Sequence, residues 1–257
     1  MEMLNDFCGI ERRSDGVIEM TICNAGKVNL LNTAVMDGLT SGLDILSRER
    51  DARVLILASP GDRTFIGGAD LREMVQLDKV SGERFISRLR DLCDRVRHFP
   101  VPVVAKISGW CLGGGLELAA ACDIRVATDS SNFAMPEVQV GIPSVIHAAL
   151  LPRLVGWGRA RYLILTGAVI DASTAFSWGL VDVVASTDEL DRQIAKVIEP
   201  ILKCGPQVMQ AQKELLRRWE DMNLSDSVSA SISYFGNAFA TGEPGLFMSQ
   251  FFKHKSA

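Results

Sequence analysis

The stretch VPVVAKISGWCLGGGLELAAACDIRVA, residues 101–127, holds the pattern from which the fold is read. It opens on a β-branched apolar run, passes through the loop SGWCLGGG, enters a helical run near Gly114 and closes on a second apolar run at 124–127. A strand, a glycine turn, a helix and another strand in so short a span predict an α/β architecture with crossover helices.

The same alternation extends outward. Apolar runs at 17–22, 54–58 and 181–185 read as further strands. Phe85, Ile86, Leu89, Leu92, Cys93 and Val96 share one face of a helix predicted over 83–98, and Val35, Leu39, Leu43 and Leu46 make a similar stripe. From Asp188 onward helical patterns take over, at 190–204, 206–221 and 224–240. The expected division is an α/β core over 1–187 and a helical region over 188–257. No fixed-period repeat and no linker stands out. The C-terminal aromatics Tyr234, Phe235, Phe239, Phe247, Phe251 and Phe252 exceed what one amphipathic layer readily buries, so both an interface and internal packing stay open.

At 257 residues, with 47 % hydrophobic and 23 % charged, the chain can bury one large core. Its net charge of −4 advertises no surface for nucleic acid. The stretch VQVGIPSVIHAALLP, free of Asp, Glu, Lys and Arg, holds two prolines and is too short to span a membrane as a helix. Six cysteines without C-x-x-C spacing, and an N-terminus without an apolar signal core, point to the reducing cytoplasm.

Glycine turns that lead from strands into helices offer unpaired N–H groups and partial positive charge to an oxygen anion. SGWCLGGG is one such turn; PGDRTFIGG, between the strand VLILAS and ADLREMVQL, is another. Two such turns can converge on one oxygen and stabilise charge that develops there. G-x-G-x-x-G is absent from 109–118 and G-x-x-x-x-G-K-[ST] from the whole chain, which argues against cradled nucleotide phosphates. Tight helix-to-strand packing is the other use of such glycines.

Glu117 lies one helical turn beyond Gly114 on the same face, among Leu116, Leu118 and Ala119–Ala121. Burial there would raise its pKa towards the range useful for proton transfer; an acid that only complements the helix dipole is the alternative. Glu137, in NFAMPEVQVGIP, is the second acid, with a salt bridge to Arg125 or Arg153 as its structural reading. The three histidines are isolated, so no metal site is expected. Ser144, after Pro143, reads as a helix N-cap, and His147 as a packed or site-lining side chain.

Taken together, KVNLLNTAVMDGL, FIGGADLREM, GWCLGGGLELAAACDIRVA, FAMPEVQVGIP and LTGAVIDASTAFSWGLVDVV resemble the enoyl-CoA hydratase/isomerase family, the crotonases, over nearly the whole chain. The resemblance implies a spiral of ββα turns, a C-terminal helical region that builds trimers or hexamers, and an acyl-CoA substrate with no further cofactor. It implies an oxyanion hole from the N–H groups of Ala69 and Gly114. Lys27 and Val28 would lie by the CoA moiety, Asp70, Leu71 and Arg72 would continue the acyl-CoA surface, and Lys253 would approach CoA phosphate. Glu117 and Glu137 match the two glutamates of family hydratases, which activate water and protonate the α-carbon. A double-bond isomerase working through Glu137 alone, and an idle acyl-CoA-binding protein, are the rivals. The chain departs from the family after Glu137, where GIPSVIHAALLPRL replaces a glycine-rich turn with a longer one, bulkier at Val145 and Ile146.

Overall fold

A computed structural model describes residues 1–255, apart from the side chains of residues 251 and 253–255. The chain opens with β1 (Glu2–Asn5), β2 (Cys8–Arg12) and β3 (Val17–Ile22) as an antiparallel meander. It then crosses through α1 (Thr33–Leu46) to β4 (Val54–Ala58), which pairs parallel with β3. From β4 the path repeats one plan: a strand for a large sheet, a short strand for a small one, then helix. The first turn continues with β5 (Thr64–Ile66), α2 (Leu71–Met74) and α3 (Lys79–Arg97). The second is β6 (Val103–Ile107), β7 (Trp110–Leu112) and α4 (Gly114–Ala121). The third is β8 (Ile124–Thr128), β9 (Asn132–Ala134), two 3₁₀ turns at Glu137–Val140 and Ile146–Leu150, then α5 (Leu151–Val155) and α6 (Trp157–Thr166). β10 (Ile170–Asp171), α7 (Ala172–Trp178) and β11 (Val183–Ala185) complete the sheets. The chain continues through α8 (Leu190–Leu202), α9 (Pro206–Asp221), α10 (Leu224–Ala240) and α11 (Glu243–Lys255).

The result is the expected spiral of ββα turns, with a seven-stranded sheet ordered β1-β2-β3-β4-β6-β8-β11 and a four-stranded sheet ordered β10-β9-β7-β5. The strands of the large sheet read as unbroken apolar runs because both faces are covered. Leu55 and Leu57 of β4, and Val103, Ala105 and Ile107 of β6, enter the core shared with the small sheet, α1, α3 and α4. Their alternating neighbours Val54, Ile56 and Val104 pack on the opposite face against Leu190, Ile194 and Ile198 of α8. Beyond α8, α9 is tied to the core through charge: Lys213 and Arg217 both meet Asp123 at the start of β8, and Lys213 also donates to the carbonyl of Val101.

Two boundaries moved for identifiable reasons. α3 starts at Lys79 rather than 83 because Asp78 and Ser81 form a reciprocal capping box, satisfying amides that would otherwise be orphaned. β6 begins at Val103 rather than 101: Pro102 has no N–H to give the ladder, and its carbonyl instead accepts from Leu55.

Candidate active site

The small sheet positions the site. β5, β7 and β9 run parallel, with Ile66 opposite Cys111 and Leu112 opposite Ala134, so the turns that follow them leave the sheet at one edge. Ligands in α/β folds bind at such carboxyl ends of parallel strands. The turns are residues 67–70, Gly113–Gly114 and 135–137. The first two touch: a Cβ on Gly68 would lie 3.3 Å from the carbonyl oxygen of Leu112. Between these turns and α3 lies a cavity of about 500 Å³, with Ala69, Gly114, Glu117 and Glu137 on its lining.

The local hydrogen bonding leaves two amides free. In the first turn Leu31 donates to Gly68 and accepts from Asp70, skipping Ala69 between them. In the second, Gly113 donates to Ala134 and Gly114 opens α4, where a helix has no internal partner for its N–H. Among the described residues, neither Ala69 nor Gly114 spends its N–H on a backbone acceptor. Glu73 fixes the first turn from outside, since its carboxylate accepts from the backbone N–H of Thr33 at 2.9 Å and also from the Thr33 hydroxyl, binding α2 to the start of α1.

Glu117 projects from α4 and is 4 % exposed. Its Oε1 accepts a hydrogen bond of 2.9 Å from the N–H of Ala148. Burial pushes its carboxyl up to about 8 from an ordinary 4.5; the Ala148 donor pulls the other way, and the nearby charge of Glu137 adds to the rise. Glu137 is only half-buried, and its Oε2 accepts from the Ser144 hydroxyl at 2.8 Å. Gly113 makes room for it, because a Cβ there would sit 2.5 Å from Glu137 Oε1, at a φ of +50° that side chains avoid.

Ser144 therefore does not cap a helix. The 3₁₀ turn after it is preceded by Val145, and the hydroxyl of Ser144 turns back to Glu137 instead. The salt bridge considered for Glu137 is also absent among the described residues: Arg125 pairs with Asp182, and Arg153 reaches the end of α9 at Glu220 and Asp221. His147 is packed, with Nε2 3.2 Å from Asp94 Oδ1 on α3. The unusual turn carries backbone strain at Ile146, whose φ of +40° is rare for a β-branched residue, two positions before the amide that holds Glu117.

The remaining expected contacts scatter around the mouth. Val28 accepts from the N–H of Gly67, which sets it and Lys27 beside the first turn, both exposed. Asp70 caps α2 by accepting from the N–H of Arg72; of Asp70, Leu71 and Arg72, only Leu71 lines the cavity. The side chain of Lys253 lies outside the described residues. Sequence reasoning missed Ser144, Glu73 and the Ala148 amide as supports, since none repeats with a helix or strand period. Among the described residues no group of three His, Cys, Asp or Glu side chains could hold a metal ion.

A site of this kind can polarise a carbonyl oxygen with two amides while two acids move protons at neighbouring atoms. The sequence profile of the enoyl-CoA hydratase/isomerase family matches residues 12–253. The crotonyl-CoA hydratase of Syntrophomonas wolfei is 31 % identical over 231 residues, covering 90 % of this chain and 89 % of its own. The short-chain-enoyl-CoA hydratase of Clostridium acetobutylicum is 29 % identical over 240 residues, covering 93 % and 92 %. The crystal structure of an enoyl-CoA hydratase from Thermoplasma volcanium superposes with a TM-score of 0.89 at 29 % identity, covering 97 % of this chain and 99 % of that one. With a match that runs through every ββα turn and both glycine turns, this chain belongs to the enoyl-CoA hydratase/isomerase family.

Proposed function

We propose that the protein is an enoyl-CoA hydratase that adds water reversibly across the double bond of a 2-enoyl-CoA thioester. The observation that carries this reading is the meeting of both acids and both free amides on one cavity. In the forward direction Glu117 takes a proton from water as its oxygen bonds to the β-carbon. The double-bond electrons move towards the thioester carbonyl, where the N–H groups of Ala69 and Gly114 hold the developing oxyanion. Glu137 then gives its proton to the α-carbon as the carbonyl re-forms. Atoms and charge balance with water and thioester alone.

Before and after each turnover the two acids hold one proton between them. With Glu117 at about 8, burial keeps that proton on Glu117 in the free protein at neutral pH, which is the arrangement that starts dehydration. Hydration starts from the complementary arrangement, and each turnover exchanges the two. Lys27, Val28, Asp70, Leu71 and Arg72 are assigned to the CoA side of the cavity mouth.

We assign residues 188–257 to oligomerisation. Leu224, Val228, Ile232, Phe235 and Phe239 recur at helical spacing along α10, and all are exposed. A contiguous apolar stripe of this kind supports burial against a second copy, as a trimer or hexamer. Six free cysteines support a reducing compartment. No described helix is long and apolar enough to cross a membrane.

The test is loss of the ultraviolet absorbance of conjugated enoyl thioesters of varied chain length. Glu117→Gln and Glu137→Gln are each expected to lower kcat by roughly 10²–10⁴-fold. Wild-type protein that hydrates none of them refutes the proposal. Val145, bulky and on the cavity lining, favours one other reading, a double-bond isomerase using Glu137 alone. Conversion of a 3-enoyl-CoA that survives Glu117→Gln identifies it.

A further inference from the structure

The polar side chains on the described lining of the cavity all carry the same chemistry. Glu83, Glu117 and Glu137 are the residues with polar side chains on it; no lysine, arginine or histidine, and no residue with a hydroxyl or amide side chain, lines it. Beyond the strand-end turns the wall is apolar, with Leu77 and Ile86 on the α3 side and Val140 opposite. Glu83 stands exposed on α3, so its charge is fixed by no partner in the core.

We propose that the site accepts acyl groups with an uncharged, apolar tail and rejects those ending in a carboxylate, with Glu83 the discriminating charge on the α3 wall. The inference rests on the cavity being the acyl site. An apolar tail loses nothing by leaving water there and gains the burial of each methylene. A tail carboxylate loses its hydration, meets no lysine, arginine, histidine, hydroxyl or amide donor in exchange, and on the α3 wall faces the like charge of Glu83. Selectivity thus comes from repulsion built into the wall as much as from fit.

Binding of saturated thioesters tests this without requiring turnover. Calorimetric titration with hexanoyl-CoA, glutaryl-CoA and the terminal carboxamide of glutaryl-CoA separates charge from shape. We expect glutaryl-CoA to bind at least about a hundredfold more weakly than hexanoyl-CoA, and the carboxamide at least about tenfold more tightly than glutaryl-CoA. In Glu83→Lys, the gap between glutaryl-CoA and hexanoyl-CoA narrows by at least about tenfold. Glutaryl-CoA binding within tenfold of hexanoyl-CoA overturns the proposal, as does a carboxamide as weak as the acid or a gap unmoved by Glu83→Lys. The expected order of binding together with no hydration of any enoyl-CoA sinks the hydratase reading and leaves this one standing.

Discussion

Replacing Glu117 by Gln should disable the enzyme and stabilise the protein, and the gain should grow with pH. The carboxyl of Glu117 sits at about 8 in the folded chain, chiefly through burial, against an ordinary 4.5. Between those values the folded state holds a proton that the unfolded state has released, so folding stability falls as pH rises. The slope is about 1.4 kcal/mol per pH unit for one proton, and the loss is complete above the folded value. Glutamine has the same shape, keeps an acceptor for the Ala148 N–H and carries no charge to desolvate. Its stability advantage over wild type should therefore widen by about 3 kcal/mol from pH 5.5 to 7.5, on the order of 5–10 °C in melting temperature. Thermal unfolding of both proteins at matched concentration across that range measures it. An advantage that stays constant with pH, or shrinks, would show that the buried carboxyl is not held protonated by its surroundings.

Two other perturbations probe the framework. Gly113→Ala should lower kcat by at least about a hundredfold while costing about 1–3 kcal/mol of stability, because the new methyl displaces the tip of Glu137 and strains a φ of +50°; circular dichroism melts beside steady-state rates test the pair, and a fully active variant refutes the close fit. Ile232→Asp, placing a charge in the middle of the exposed stripe on α10, should shift the protein to a smaller assembly in light scattering after size exclusion, whereas an unchanged mass would take that stripe out of the interface.

What could be read from residues alone followed the length of the pattern. The long apolar runs of β3 and β4 and the stripes of α1 and α3 were legible because burial on defined faces writes a period that several residues share. β5, β7 and β9 were not, for each has three residues, too few to show alternation, and it is these that set the three turns of the candidate site side by side. The repeated ββα plan was hidden for a related reason: its turns differ in length, from the eight residues of α4 to the nineteen of α3, so no fixed period survives in the sequence. Glu117 and the two glycine turns were visible through their chemistry. Ser144 was misread as a cap because the turn after Glu137 folds back on that acid, a tertiary event with no local signal.

The same comparison explains why the chain tolerates three glycines in succession. Gly113 leaves room for Glu137, while a Cβ on Gly115 would collide with the backbone and side chain of Ile66 at 2.6 Å. A Cβ on Gly114, between them, would meet Leu89 of α3 at 2.7 Å, and Gly114 lines the cavity with an N–H that has no backbone acceptor. Packing against β5, packing against α3 and access to the second acid are three separate demands met at three adjacent positions. The packing and catalytic readings of the glycine run are thus not rivals: the close packing sets the depth at which the amide and the two acids face a common space. Glu117, on the buried side of that space, is raised to about 8 through desolvation, and Glu137, half-buried, receives the Ser144 hydroxyl. Two chemically identical side chains meet different surroundings because α4 begins inside the molecule and the turn at Glu137 ends at its surface, which is what the tasks proposed for them require.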